Sequence, residues 1–130
     1  MTRPNGTAKE PVHTRPWMKL WVTDWLLSPA VAQMTVRQEG MYLRLLLHAW
    51  VANPPCTLPN ADRMLAALAK VSPAVWKKEG PLVKAQFTAL SPAWLRNTKQ
   101  WEVYEQMEAV RTARQAAGAR GADERWHSRA

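Results

Sequence analysis

The stretch TVRQEGMYLRLLLHAWVAN, residues 35–53, carries the clearest helical periodicity in the chain. At 3.6 residues per turn, Tyr42, Leu45, Leu46, Ala49 and Trp50 recur at i, i+3, i+4, i+7 and i+8, one apolar stripe. Leu43 and Leu47 fall on a second apolar flank, so roughly two-thirds of the helix surface asks for cover. Only a narrow strip with Arg37, Arg44 and His48 points elsewhere. Thr35 stands where an N-cap belongs, and Gln38 three residues later completes a capping box. Asn53-Pro54-Pro55 ends the helix, because the residue before a proline is pushed out of the α region. A helix apolar on two sides belongs at the centre of a small domain.

Downstream of it, Asn60 is positioned to cap a second helix, Ala61–Lys70. Its Ala61, Met64, Leu65 and Leu68 are expected to face inward and its Asp62, Arg63 and Lys70 outward. Val71-Ser72 is a very short joint: Ser72 is a good N-cap and Pro73 a favoured first helical residue, so a third helix starts at once. Two helices joined this tightly outline a helix-turn-helix. The third helix, Pro73 to about Phe87, turns Val75, Trp76, Leu82, Val83 and Phe87 inward, with a kink or break expected at Gly80-Pro81. Gln86–Leu90 and Trp94–Asn97 read as two short strands around Ser91-Pro92-Ala93, a hairpin "wing". Asn97 or Thr98 then caps a last helix over Lys99–Ala117, whose stripe of Trp101, Tyr104, Glu105 and Glu108 is half acidic and packs only at its front.

Upstream, WMKLWVTDWLL spaces Trp17, Trp21 and Trp25 four apart, yet Leu20 to Thr23 are strand formers. A short strand over Lys19–Val22 and a helical turn over Asp24–Ser28 are expected, with the three tryptophans as lids on the central helix. The expected architecture is mainly α with a small β-hairpin, a winged helix-turn-helix with an added C-terminal helix. Its core is Tyr42, Leu45, Leu46, Trp50, Trp76 and Phe87. Residues 1–15 read as a disordered basic arm and 16–110 as the domain. Residues 111–130 form a basic Ala/Gly/Arg-rich tail, helical at first and disordered beyond Gly118.

Several strings match one pattern: W-V-T-D-W-L (21–26), M-T-V-R-Q-E-G-M-Y-L-R-L-L-L-H-A-W (34–50), and V-S-P-A-V-W (71–76) with Phe87 downstream. Over residues 17–105 the chain resembles the YdaU-like domain of unknown function, carried mostly by phages and prophages. That domain often stands at the front of replication-initiation or replisome-organiser proteins. The resemblance implies a winged-helix module in DNA replication or its regulation. It carries over no catalytic residue. The Gly80-Pro81 break and the Ser91-Pro92-Ala93 tip depart from the family pattern.

The net charge of +8 is unevenly spread. Residues 1–19 contribute +3 and residues 111–130 another +3, while residues 62–99 hold seven basic against two acidic residues and residues 100–110 hold three glutamates and no base. An anionic partner follows, and nucleic acid is the commonest. Lys77 and Lys84 are seven apart on one face of the third helix, with Lys78 beside them; Arg63, Lys70, Arg96 and Lys99 are expected to flank it. That outer face shows no Arg, Asn or Gln to read base edges. Double-stranded DNA bound chiefly through its phosphates, with weak sequence specificity, is the expectation. About five contacts would give a log–log salt slope near −4.5. Arg111, Arg114, Arg120, Arg125 and Arg129 of the tail would add affinity without register.

Catalysis has little footing. No Cys/His spacing suits zinc, and no phosphate loop or nucleophile elbow is present, so neither an enzyme nor a cofactor nor a metal is expected. Glu39 reads as a carboxylate stabilised by its helix N-terminus. Cys56, the single cysteine, reads as a passive loop residue and suits a reducing cytoplasm. The longest charge-free run, Leu45–Ala61, carries a histidine, two asparagines and three prolines, which excludes it as a membrane span. The rival from another class is an adaptor that docks a phage or host replication protein through its tryptophan-rich N-terminal segment or the acidic front of the last helix.

Overall fold

The computed structural model describes residues 15–129, with backbone alone over 123–129. The 1–14 part of the expected arm therefore lies outside the described residues. Six helices and three short strands follow in the order α1 (Val22–Leu27), α2 (Pro29–Ala32), α3 (Val36–Trp50), β1 (Leu58–Pro59), α4 (Asp62–Ala69), α5 (Pro73–Lys84), β2 (Thr88–Ala89), β3 (Trp94–Arg96) and α6 (Thr98–Arg129). The chain is mainly helical, with one small antiparallel sheet in the order β1-β3-β2. Leu58 pairs with Leu95 on one side of β3, and Ala89 pairs with Leu95 on the other.

α3 occupies the centre, as its periodicity demands. The Thr35 hydroxyl accepts from the Gln38 amide while the Gln38 side chain accepts from the Thr35 amide, so the capping box is complete. Met41, Leu45, Leu46 and Ala49 are buried against Leu58, Leu65, Ala66, Trp76, Val83, Phe87 and Leu95. Tyr42 is half-buried and packs against this cluster, while Trp50 joins a second one with Cys56 and Val103. Helices α3, α4 and α5 thus enclose the main core, with the sheet closing one end. The second flank of α3 differs from expectation: Leu43 is 36% and Leu47 46% exposed, because none of the described elements covers that side.

The expected strand over Lys19–Val22 does not form: residues 19–21 are irregular, and Val22 opens α1, which takes in most of the helical turn expected over Asp24–Ser28. Strand propensity is realised only beside a partner strand, and the free edge of β3 is taken by β1, which the sequence reading missed. Of the three tryptophans only Trp25 is a lid: its ring stacks on Tyr42 at 5.1 Å and its Nε1 donates to Glu39 at 3.1 Å. Trp17 is 62% and Trp21 48% exposed. Arg15, assigned to the arm, is anchored instead. Its guanidinium donates to the carbonyls of Trp50 (2.9 Å) and Ala52 (2.8 Å) at the end of α3 and lies over Tyr104.

Asn60 does not cap α4. Its backbone N–H is spent on the Ala93 carbonyl at 2.9 Å beside the sheet, and Ala61 takes the cap position without a side-chain bond. Ala66 and Ala69 turn inward with Leu65, and Met64 is exposed. Lys70 in the left-handed conformation (φ 64°) ends the helix. Ser72 then caps α5 through its hydroxyl. α5 runs unbroken through Pro81, where a kink or break was expected. Gly80, next to Pro81, is buried under the Trp76 indole, and a side chain there would collide with the ring. The wing is shorter than expected, two residues of β2 against three of β3.

Asn97 caps α6, its Oδ1 accepting from the Gln100 amide at 2.9 Å, while its amide nitrogen donates to Tyr42 Oη (3.0 Å) and the Gln86 carbonyl (2.9 Å). The packed stripe of α6 is Gln100, Trp101, Val103, Tyr104 and Met107; Glu105 is exposed. The helix continues through Arg129, about 48 Å in all at 1.5 Å per residue, where disorder was expected beyond Gly118.

Candidate nucleic-acid interface

The tight joint between α4 and α5 sets the two helices at an angle and leaves one face of α5 open. Between that face, the start of α4 and the wing lies a groove of about 1050 Å³. Arg63, Lys77 and Lys84 line it, together with Asn60, Asp62 and the apolar Pro73 and Pro81. Lys77 and Lys78 are both exposed at adjacent positions of α5.

The charges are partly spent. Lys84 Nζ sits 3.1 Å from Asp62 Oδ1, and the same oxygen accepts from Trp76 Nε1 at 3.0 Å. The Trp76 bond first, and Lys84 second, hold the Asp62 carboxyl below its ordinary range. Glu79, which follows the two lysines, is drawn off by Arg37 of α3 in a bidentate pair, Arg37 Nε lying 3.0 Å from Oε1. That pair lowers the Glu79 carboxyl and raises the Arg37 guanidinium. Arg63, Lys77 and Lys78 enter none of the described ion pairs.

The remaining expected contacts do not join the groove. Lys99 bonds Asp24 of α1 at 2.8 Å and is raised by it. The Arg96 guanidinium lies 3.7 Å over the Trp101 ring with its Nε buried. Lys70, whose left-handed backbone ends α4, is exposed but does not line the groove. On α6, Arg111 bonds Glu108 at 2.9 Å, Arg114 and Arg120 are exposed, and the side chains of Arg125 and Arg129 lie outside those described. The sequence reading missed Asn60, which it had assigned to capping. In the groove, Asn60 and Arg63 are the two side chains able to form bidentate bonds with base edges.

Elsewhere, an apolar trough of about 490 Å³ runs beside α1, lined by Leu20, Trp21, Leu27, Val31, Leu46 and Val103 among others. Cys56 is fully buried, and burial pushes its thiol up to about 11, the reverse of an activated nucleophile. His48 lies 3.5 Å from Arg44 and is lowered by burial and by that charge. Among the described residues, no group of three or more His, Cys, Asp or Glu could hold a metal ion, and no helix is long and apolar enough to cross a membrane. Comparison with protein-family models, curated proteins and solved structures finds no match to this chain.

Proposed function

We propose that this chain is a non-enzymatic DNA-binding module of winged helix-turn-helix type, gripping duplex DNA through the groove of α5. The observation that carries this reading is the convergence of Arg63, Lys77 and Lys84 on one open groove between a helix and a β-hairpin. The winged-helix assignment is supported by the order helix, strand, helix, helix, strand, strand from α3 to β3, with β3 between β1 and β2. The YdaU-like resemblance implies phage or prophage replication initiation, or its regulation, as the setting.

With Lys84 held by Asp62 and Lys99 by Asp24, three cations on or beside the groove remain for phosphates: Arg63 and Lys77, which line it, and Lys78 next to them. The log–log salt slope then falls to about −2.7, at about −0.9 per contact. Fluorescence anisotropy of labelled duplex at two salt concentrations tests this on wild type and Arg63→Glu/Lys77→Glu. At least a tenfold loss and a flatter slope are expected. Equal binding by the double variant refutes the groove as the site.

A second reading is favoured by the trough beside α1 and the exposed Trp17 and Trp21: an adaptor that docks a replication protein, since aromatic anchors dominate such interfaces. No duplex binding at low salt by wild type would support it over the first.

A further inference from the structure

We infer that the groove between the N-terminal segment and α6 binds single-stranded nucleic acid, with a base stacked on Trp17 and the phosphates held by Lys19, Arg111 and Arg114. This groove, of about 650 Å³, is separate from the one at α5, and no residue lines both. Arg15, Trp17 and Lys19 line it from one side, and Tyr104, Arg111 and Arg114 of α6 from the other. The N-terminal side is fastened. The Trp17 carbonyl accepts from Trp50 Nε1 at 2.8 Å, and two residues earlier the Arg15 guanidinium holds the Trp50 and Ala52 carbonyls. Trp17 is nevertheless 62% exposed. An indole on a pinned main chain has little freedom left to lose when a flat group stacks on it.

The charge around the indole is positive. Four cations, Arg15, Lys19, Arg111 and Arg114, line the groove against one carboxylate, Glu108, which bonds Arg111 at 2.9 Å. Lys19 and Arg114 are exposed and enter none of the described ion pairs, and the described hydrogen bonds of Arg15 go to neutral carbonyls. An exposed indole beside exposed cations fits a polyanion that carries flat aromatic groups, and single-stranded nucleic acid is that combination. In a duplex the bases stack on one another, so an indole meets no open face; an unpaired strand offers one at each nucleotide. An acidic peptide would match the charge and leave the indole unused. The inference goes beyond the duplex reading and is tested apart from it.

Anisotropy of a labelled oligo(dT) of about 12 nucleotides, and quenching of tryptophan fluorescence by the unlabelled strand, read the binding. Wild type is expected to bind and to be quenched. Trp17→Ala is expected to keep the far-ultraviolet circular dichroism of wild type and its duplex binding, yet to bind oligo(dT) about tenfold more weakly with most of the quenching gone. Lys19→Gln/Arg114→Gln flattens the log–log salt slope by about 1.4, two contacts at about 0.7 each for a single strand. Arg63→Gln/Lys77→Gln, in the other groove, binds oligo(dT) as wild type does. A wild type that fails to bind oligo(dT) at low salt overturns the proposal. So does a Trp17→Ala variant that binds like wild type, or binding that depends on Arg63 and Lys77 and not on Lys19 and Arg114. Polyglutamate that competes as well as unlabelled oligo(dT) also overturns it, in favour of an acidic protein segment.

Discussion

Replacing Gly80 by alanine tests the packing of α5 against its own propensity. In an isolated helix the substitution is favourable by about 1 kcal/mol. Here an ideal Cβ would collide with Trp76 Cδ2 and lie 2.7 Å from Cε2 and Cε3. The indole is buried and cannot swing aside freely, and moving it strains the Nε1 bond to Asp62. Overpacking of this kind costs about 1–3 kcal/mol, and loss of a hydrogen bond to a charged group about 1.5–3 more. A Cβ just before Pro81 also disfavours the α region. After the propensity gain, Gly80→Ala is expected to destabilise by about 1.5–5 kcal/mol.

Gly40→Ala, on the same kind of backbone but with nothing within 4 Å, is expected to stabilise by about 0.5–1 kcal/mol. Urea denaturation followed by circular dichroism at low micromolar concentration measures both. Opposite signs are required; a neutral or stabilising Gly80→Ala refutes the packing of Trp76 on Gly80.

Asn97→Ala removes three hydrogen bonds and the cap of α6, and a loss of about 2–4 kcal/mol is expected in the same urea titration. His48 has a folded pKa below its unfolded value, so the folded state binds fewer protons there. Its stabilising contribution is present above about pH 6.5 and is lost as pH falls through the folded value; thermal melts between pH 7.5 and 5 should show this, with a smaller drop in His48→Gln. Asp62, also lowered, contributes above its unfolded pKa near 3.8 and loses that contribution as the medium acidifies further; Asp62→Asn should flatten the acid limb of the melting profile. With its thiol pushed up to about 11 and fully buried, Cys56 should resist a thiol-reactive dye at pH 8 in the native state and react stoichiometrically in urea.

The cap and main apolar stripe of the central helix were legible, because both are local, whereas its second flank, Leu43 and Leu47, was expected to be covered and is exposed. The Ser72–Pro73 start of α5 and the hairpin that follows it were legible for the same local reason. The segment from Lys19 to Ser28 was not, because short apolar runs take the form their neighbours allow. The edge of β3 on the side away from β2 is occupied by Leu58–Pro59. For the site, the chain showed where positive charge is concentrated but not which cations are free. Asp62 and Lys84 are twenty-two residues apart, and Asp24 and Lys99 farther still, so their pairing exists only once the helices pack.

Sequence by itself determined the number and order of the main helices, since hydrophobic period and capping act within a few residues. Tertiary structure alone decided which apolar flank stayed bare and which lysines kept their charge. Burial and ion pairing depend on distances between elements that no local pattern encodes.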